Sequence, residues 1–279
     1  MFRHVAAAGL LVFGAVLALP GQQSGRLVRV YGDLATAERV AIIVPGADTT
    51  VETFEEDTKR PGGAARAVLA EAARVAPGDR LAVVAWLGYD APPTWSLGAV
   101  TDAAAGQGAT ALRRTVHDLR TRTAAPIALL CHSYGSVVCA KAVPGLPVAD
   151  LAVFGSPGIG PLPATVPATT MPEPTPSARV QADGTETERD RSRTAPVEAT
   201  EAEQSPVRLW AGLGANDWIR WVAGLKAGPL GFDGDPLSQN TRIFETGAIG
   251  HSDYFAVGTA SLRNLTLIAL GRSSQVTPA

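Results

Sequence analysis

The chain has no excess of basic residues: 24 Lys and Arg stand against 26 Asp and Glu, for a formal net charge of −2. Without a stripe of cations to neutralise phosphates, a nucleic-acid partner is excluded. Cysteine is scarce, with Cys131 and Cys139 alone, and no CxxC pair or Cys/His cluster has zinc spacing. No metal ion and no organic cofactor are expected. The two cysteines are expected as small buried thiols, with a disulfide between them as the alternative, which needs a strand end and the second turn of a helix to approach closely. Long hydrophobic runs are also lacking. The one that stands out, Val5 to Leu19, has fifteen residues, short of the roughly 20 that cross a bilayer. No internal repeat is visible.

That run does fit another pattern. Arg3 and His4 precede it and "PGQQSG" follows, the order of a secretory leader. Residues 1–21 are therefore expected to be a signal peptide or an N-terminal membrane anchor, with attachment through residues 5–19. The protein is expected to be secreted or membrane-anchored on the extracytoplasmic side.

From Arg26 onward, apolar segments of strand length alternate with helical patterns. "RLVRVY" (26–31) alternates and predicts an edge or antiparallel strand. "RVAIIVPG" (39–46), "RLAVVAW" (80–86), "PIALLC" (126–131) and "DLAVFGS" (150–156) are continuous apolar runs, the mark of strands buried on both faces. "VRLWAGL" (207–213) and "TRIFET" (241–246) predict two more strands. Helices are expected over 62–79, 109–123, 134–142 and from about Ser252 to Leu270. Strand–helix–strand alternation implies a doubly wound, mostly parallel sheet covered by helices on both faces. Its ligands gather at the carboxyl ends of the strands.

One stretch breaks the pattern. Residues 161–206 contain eight prolines, many Thr and Glu, and no aromatic residue. Such a segment cannot bury enough apolar surface to offset its ordering entropy. It is expected to be a disordered insertion within a single domain spanning 26–270.

The chemistry centres on "LLCHSYGSVV" (129–138). "CHSYG" nearly matches G-x-S-x-G, in which a serine sits on a strained strand-to-helix turn and its flanking small residues let strand and helix cross closely. Gly135 fills the second small position, and Cys131 replaces glycine at the first. A lone match could equally be a serine capping a helix, so partners decide. The chain has four histidines. His4 is in the leader, His117 lies within an amphipathic helix, and His132 is expected to point into the sheet edge. His251, in the glycine-flanked "TGAIGHSDYF", follows the last strand and is the candidate base. The third member of a Ser–acid–His order should lie between them at another strand end. Asp217 in "GLGANDW" fits, although it could simply cap the following helix; Asp233, Asp235 and Asp253 are rivals. Two amides complete the set, those of Tyr134 and of Ala47 in "VPGADTT", as an oxyanion hole. Trp86, Trp95, Trp218 and Trp221 are candidates either for lining an apolar pocket or for the core.

Together "VPGADTTVETFE", "WLGYDAP", "HSYGSVV", "FGSPGIG" and "GHSDYF" resemble the α/β-hydrolase superfamily, and within it an actinobacterial group of undefined substrate. The resemblance covers residues 27–270 apart from the insertion. It implies Ser133 as nucleophile, His251 as base and Asp217 as orienting acid, with cysteine at 131 departing from the usual glycine. The expected activity is serine hydrolysis of carboxylic esters, carboxylesterase- or lipase-like, on a small-molecule ester or lipid-like substrate. The alternatives are an amidase or peptidase of the same fold, and a non-catalytic binding module.

Overall fold

The computed structural model describes residues 25–94, 96, 99, 101, 103–160, 207–227, 230–231 and 241–279. The expected leader (1–21), the insertion (161–206), Trp95, Asp233 and Asp235 lie outside the described residues.

Seven strands form one sheet: β1 (Leu27–Tyr31), β2 (Arg39–Val44), β3 (Leu81–Leu87), β4 (Ile127–His132), β5 (Asp150–Phe154), β6 (Arg208–Gly212) and, beyond the two-stranded ladder of β7 (Lys226–Ala227) with β8 (Leu230–Gly231), β9 (Arg242–Ile243). Their order is β1-β3-β2-β4-β5-β6-β9. The alternating strand β1 is antiparallel to β3 at the edge, and every other pairing is parallel. The reason is visible in the side chains: all of "LAVVAWL" in β3 and all of "DLAVF" in β5 are buried, which only a central strand between two layers of helix permits.

Among the described residues four α-helices supply those layers: α1 (Pro61–Val75), α2 (Ala103–Arg120), α3 (Tyr134–Ala142) and α4 (Ala260–Ala269). Leu112, Val116 and Leu119 of α2 pack with Val137 and Val138 of α3 on one face, over Ile42, Val84 and Leu129. Ala65 and Val68 of α1 pack with Leu265 and Ile268 of α4 on the other, over Ile43, Val83 and Leu130. Among the described residues no helix is long and apolar enough to cross a membrane.

Three expectations need correction. The last helix begins at Ala260 and not near Ser252, because the Thr259 hydroxyl caps it by accepting from the Leu262 amide at 3.1 Å. Helix α2 starts six residues earlier than its amphipathic stretch, at Ala103. Cys131 and Cys139 are not thiols but a disulfide, with Cα atoms 6.5 Å apart. Helix α3 turns back over β4 immediately after Ser133, which returns position 139 to the strand position it left.

The two ends of the sheet differ in kind. At the amino ends, the wholly buried Asp150 accepts from Arg39, Arg208 and the Trp210 indole at 2.7–3.0 Å, which satisfies its charge and ties β2, β5 and β6 together. The carboxyl ends carry the serine.

Candidate active site

Ser133 follows β4 directly and has φ +51° and ψ −125°, a conformation that costs a non-glycine residue on the order of 1–3 kcal/mol. Surrounding contacts hold it there. Its amide donates to the Phe154 carbonyl of β5 at 2.9 Å, and its carbonyl accepts from the Ser136 amide and hydroxyl at 2.9 and 2.6 Å. The close crossing demands glycine on both sides. A Cβ on Gly135 would lie 2.5 Å from the carbonyl oxygens of both Val44 and Pro45, and one on Gly46 would lie 2.7 Å from the Ser133 Cβ. The loop after β2 therefore touches the serine itself.

His251 lies in the turns between β9 and α4. Its Nε2 is 2.9 Å from Ser133 Oγ and its Nδ1 is 2.8 Å from Asp217 Oδ1. A carboxylate only accepts, so Nδ1 carries the proton and Nε2 is left to accept from the serine hydroxyl. Asp217 is fully buried just past β6. It also caps the short 3-10 turn Trp218–Trp221 by accepting from the Ile219 amide at 2.9 Å, so capping and pairing with histidine are one arrangement here and not alternatives. Its second oxygen accepts from the Tyr254 hydroxyl at 2.6 Å, and that hydroxyl accepts in turn from the Gly214 amide at 3.0 Å. Burial alone would push the Asp217 carboxyl up, but His251, Tyr254 and the Ile219 amide more than offset it, leaving the group below the ordinary carboxylate range. Burial, followed by the Asp217 charge, pushes the Tyr254 phenol well above its ordinary value, which keeps it a neutral donor.

Of the rival acids, Asp233 and Asp235 lie outside the described residues. Asp253 is half-buried, 3.8 Å from the Lys59 ammonium, and among the described residues makes no hydrogen bond to His251. His117 is on the exposed face of α2. Trp86 belongs to the core, its indole donating to Thr115 at 3.0 Å. Trp218 does reach the site, with its ring centroid 4.8 Å from that of His251, and Trp221 beside it is exposed.

Of the two candidate amides, that of Tyr134 opens α3 and so lies at the positive end of the helix. The Tyr134 ring is anchored away from the serine, its hydroxyl donating to Thr101 and accepting from Ala105. Ala47 follows the Gly46 contact, and among the described residues its N–H has no hydrogen-bond acceptor. Its neighbour Asp48 takes φ +57° and is held by the Thr94 amide at 3.0 Å and by Arg60, which donates to its carbonyl at 2.6 Å.

Sequence reasoning missed two residues. Tyr254 falls in a segment predicted to be the first turn of the last helix, where a tyrosine carries no sign that its hydroxyl will reach an acid 37 residues away. His132 was expected at the sheet edge; it instead directs Nε2 to the His251 carbonyl at 2.7 Å.

A family model described as alpha/beta hydrolase matches residues 20–170. The chain belongs to the alpha/beta hydrolase family. The matched stretch contains Ala47, Ser133 and Tyr134, while Asp217 and His251 lie beyond it. Uncharacterized proteins of Mycobacterium tuberculosis and Mycobacterium bovis are 37% identical over 134 residues, covering 46% of this chain and 50% of theirs. This alpha/beta hydrolase thus spans about half the length of the curated relatives it matches. Among solved structures, esterase PE8 is 13% identical over 88% of this chain and 96% of its own, with a TM-score of 0.46. A carboxylesterase from Mesorhizobium loti is 14% identical over 92% and 99%, with a TM-score of 0.45. The family assignment rests on the family match and not on these two.

Proposed function

We propose that this alpha/beta hydrolase is a serine hydrolase that cleaves carboxylic esters through an acyl-enzyme. The observation that carries the reading is the unbroken line from Ser133 Oγ to His251 to the buried Asp217, at 2.9 and 2.8 Å. In the first step Ser133 Oγ attacks the substrate carbonyl carbon while its proton passes to His251 Nε2. The carbonyl oxygen becomes an oxyanion, which the Ala47 and Tyr134 amides receive. Asp217 stabilises the imidazolium without taking its proton. His251 then protonates the departing alcohol as the C–O bond breaks. Water, deprotonated by the same nitrogen, attacks the acyl-enzyme and releases the acid with Ser133 restored. The exposed Trp218 beside His251, with the exposed Trp221 on the same short turn, favours a small substrate with an apolar acyl or alcohol portion.

A binding module would have no use for a strained Ser133 or for a buried carboxylate held against the imidazole that faces it. A fluorophosphonate probe checks this directly. The protein is expected to label at Ser133 and to turn over p-nitrophenyl butyrate, with the matching anilide cleaved far more slowly. An intact fold that neither labels nor hydrolyses would make it a binder, and a preference for the anilide would make it an amidase.

Export through the 1–21 leader is part of the same proposal. The Cys131–Cys139 disulfide supports it, since disulfides persist in oxidising compartments. In cells expressing the full chain, the protein is expected outside the cytoplasm, with both cysteines refusing an alkylating reagent until reduced. Recovery in the cytoplasmic fraction with two free thiols would overturn it.

A further inference from the structure

His251 is held at its ring by Asp217, Ser133 and the Trp218 face, but its backbone lies in turns and not in a helix or strand. Among the described residues, the only donor to the His251 carbonyl is the His132 side chain, at 2.7 Å. A carbonyl only accepts, so His132 is the Nε2–H tautomer with Nδ1 bare. The donor itself is anchored. His132 ends β4, pairs with Phe154 of β5, stacks its ring on Phe154 at 5.6 Å between centroids, and leans on Tyr254 at 5.5 Å.

We propose that His132 is a positioning residue for the base: its Nε2–H holds the His251 peptide at the height at which the imidazole reaches Ser133. This rests on the serine hydrolase reading above. Two consecutive residues then set the same partner, Ser133 through the imidazole Nε2 and His132 through the main chain, so the distance between nucleophile and base is referenced to one rigid dipeptide at the end of a central strand. Placement of this kind matters because an error of about 1 Å between reacting groups costs on the order of 10²-fold in rate.

Protonation would defeat the arrangement, because the His132 and His251 rings are 5.0 Å apart and a second cation would oppose formation of the imidazolium. Burial, and after it the His251 ring, pushes His132 down to about 3, so it stays neutral while His251 cycles. No second cation therefore stands beside His251 during turnover.

The test uses the full-length protein, p-nitrophenyl butyrate and a fluorophosphonate. Glutamine places an amide N–H where the histidine Nε2–H was; asparagine is too short, and leucine fills the space without a donor. His132→Leu and His132→Asn are expected to lose on the order of 10²-fold in kcat, with KM within about two-fold and labelling slowed by the same factor as kcat. His132→Gln should recover most of that loss, at a melting temperature close to that of His132→Leu. If leucine does not fold, the comparison of glutamine with asparagine carries the test. Equal impairment in Gln and Asn, or wild-type labelling in either of the variants without the donor, overturns the role of His132 alone. A wild-type protein that does not label overturns the hydrolase reading first and the positioning role with it.

Discussion

Replacing Asp217 by asparagine will reduce ester turnover by on the order of 10⁴-fold while leaving the melting temperature nearly unchanged. The carboxylate fixes the Nδ1–H tautomer of His251 from 2.8 Å, and its charge balances the imidazolium formed as Ser133 attacks. Asparagine keeps the size and can still accept from Ile219, but it presents no charge. Ser133→Ala and His251→Ala are each expected to be as damaging, and double replacements little worse, because the three act as a unit. Asp253→Asn should have little effect, since that carboxylate faces Lys59 and not His251. Steady-state kinetics on p-nitrophenyl butyrate check the series. Near-normal activity in Asp217→Asn would remove the acid from its assigned place, and collapse in Asp253→Asn would move it there.

The second large effect is steric. Gly135→Ala brings a methyl group to 2.5 Å from two backbone carbonyl oxygens, Val44 and Pro45, neither of which is a flexible side-chain end. The helix must lift away from β2, carrying Ser133 with it. Turnover is expected to fall on the order of 10²-fold or more, and stability by about 1–3 kcal/mol from overpacking. Gly106→Ala is the control: it lies in α2 with open space around it, and alanine there should stabilise by roughly 0.5–1 kcal/mol. Thermal melts and kcat of both variants decide the matter. Full activity in Gly135→Ala would mean that the elbow tolerates a wider crossing than this packing allows.

Much of this is legible in the amino-acid sequence. Strands β2 to β5 announce themselves because a strand buried on both faces has no polar alternation to confuse it with a surface element. Ser133 stood out because the apolar run stops at it and a small-residue helix begins, and Asp217 and His251 because each follows a strand in a glycine-bearing turn. What stayed hidden was information held between elements. The disulfide depends on α3 folding back over β4, and a separation of eight residues does not show that. The start of α2 was obscured by Gly106 and Gly108, poor helix formers, of which Gly108 sits where a Cβ would press to 3.0 Å from Val138. Residues 252–259 looked helical, yet Tyr254 and its neighbours serve the site from turns. The partner of His132 is not legible because a strand's last side chain gives no sign of which backbone it will meet.

The pairing of β5 with β6 also fixes how far the intervening chain must travel. They run parallel, with Asp150 opposite Arg208 and Phe154 opposite Gly212, so a chain leaving one carboxyl end has to regain the amino end of the other. Five residues of strand correspond to roughly 17 Å at about 3.3 Å per residue. A ten-residue Gly/Ser linker has a root-mean-square span of about the same length. Residues 161–206 far exceed what that return path requires, and the strand register is pinned from within the sheet by Asp150 on Arg208. Replacing residues 161–206 with a ten-residue Gly/Ser linker is therefore expected to leave ester turnover and the melting temperature nearly unchanged, and a large drop in either would show that more than the return path from β5 to β6 depends on that segment.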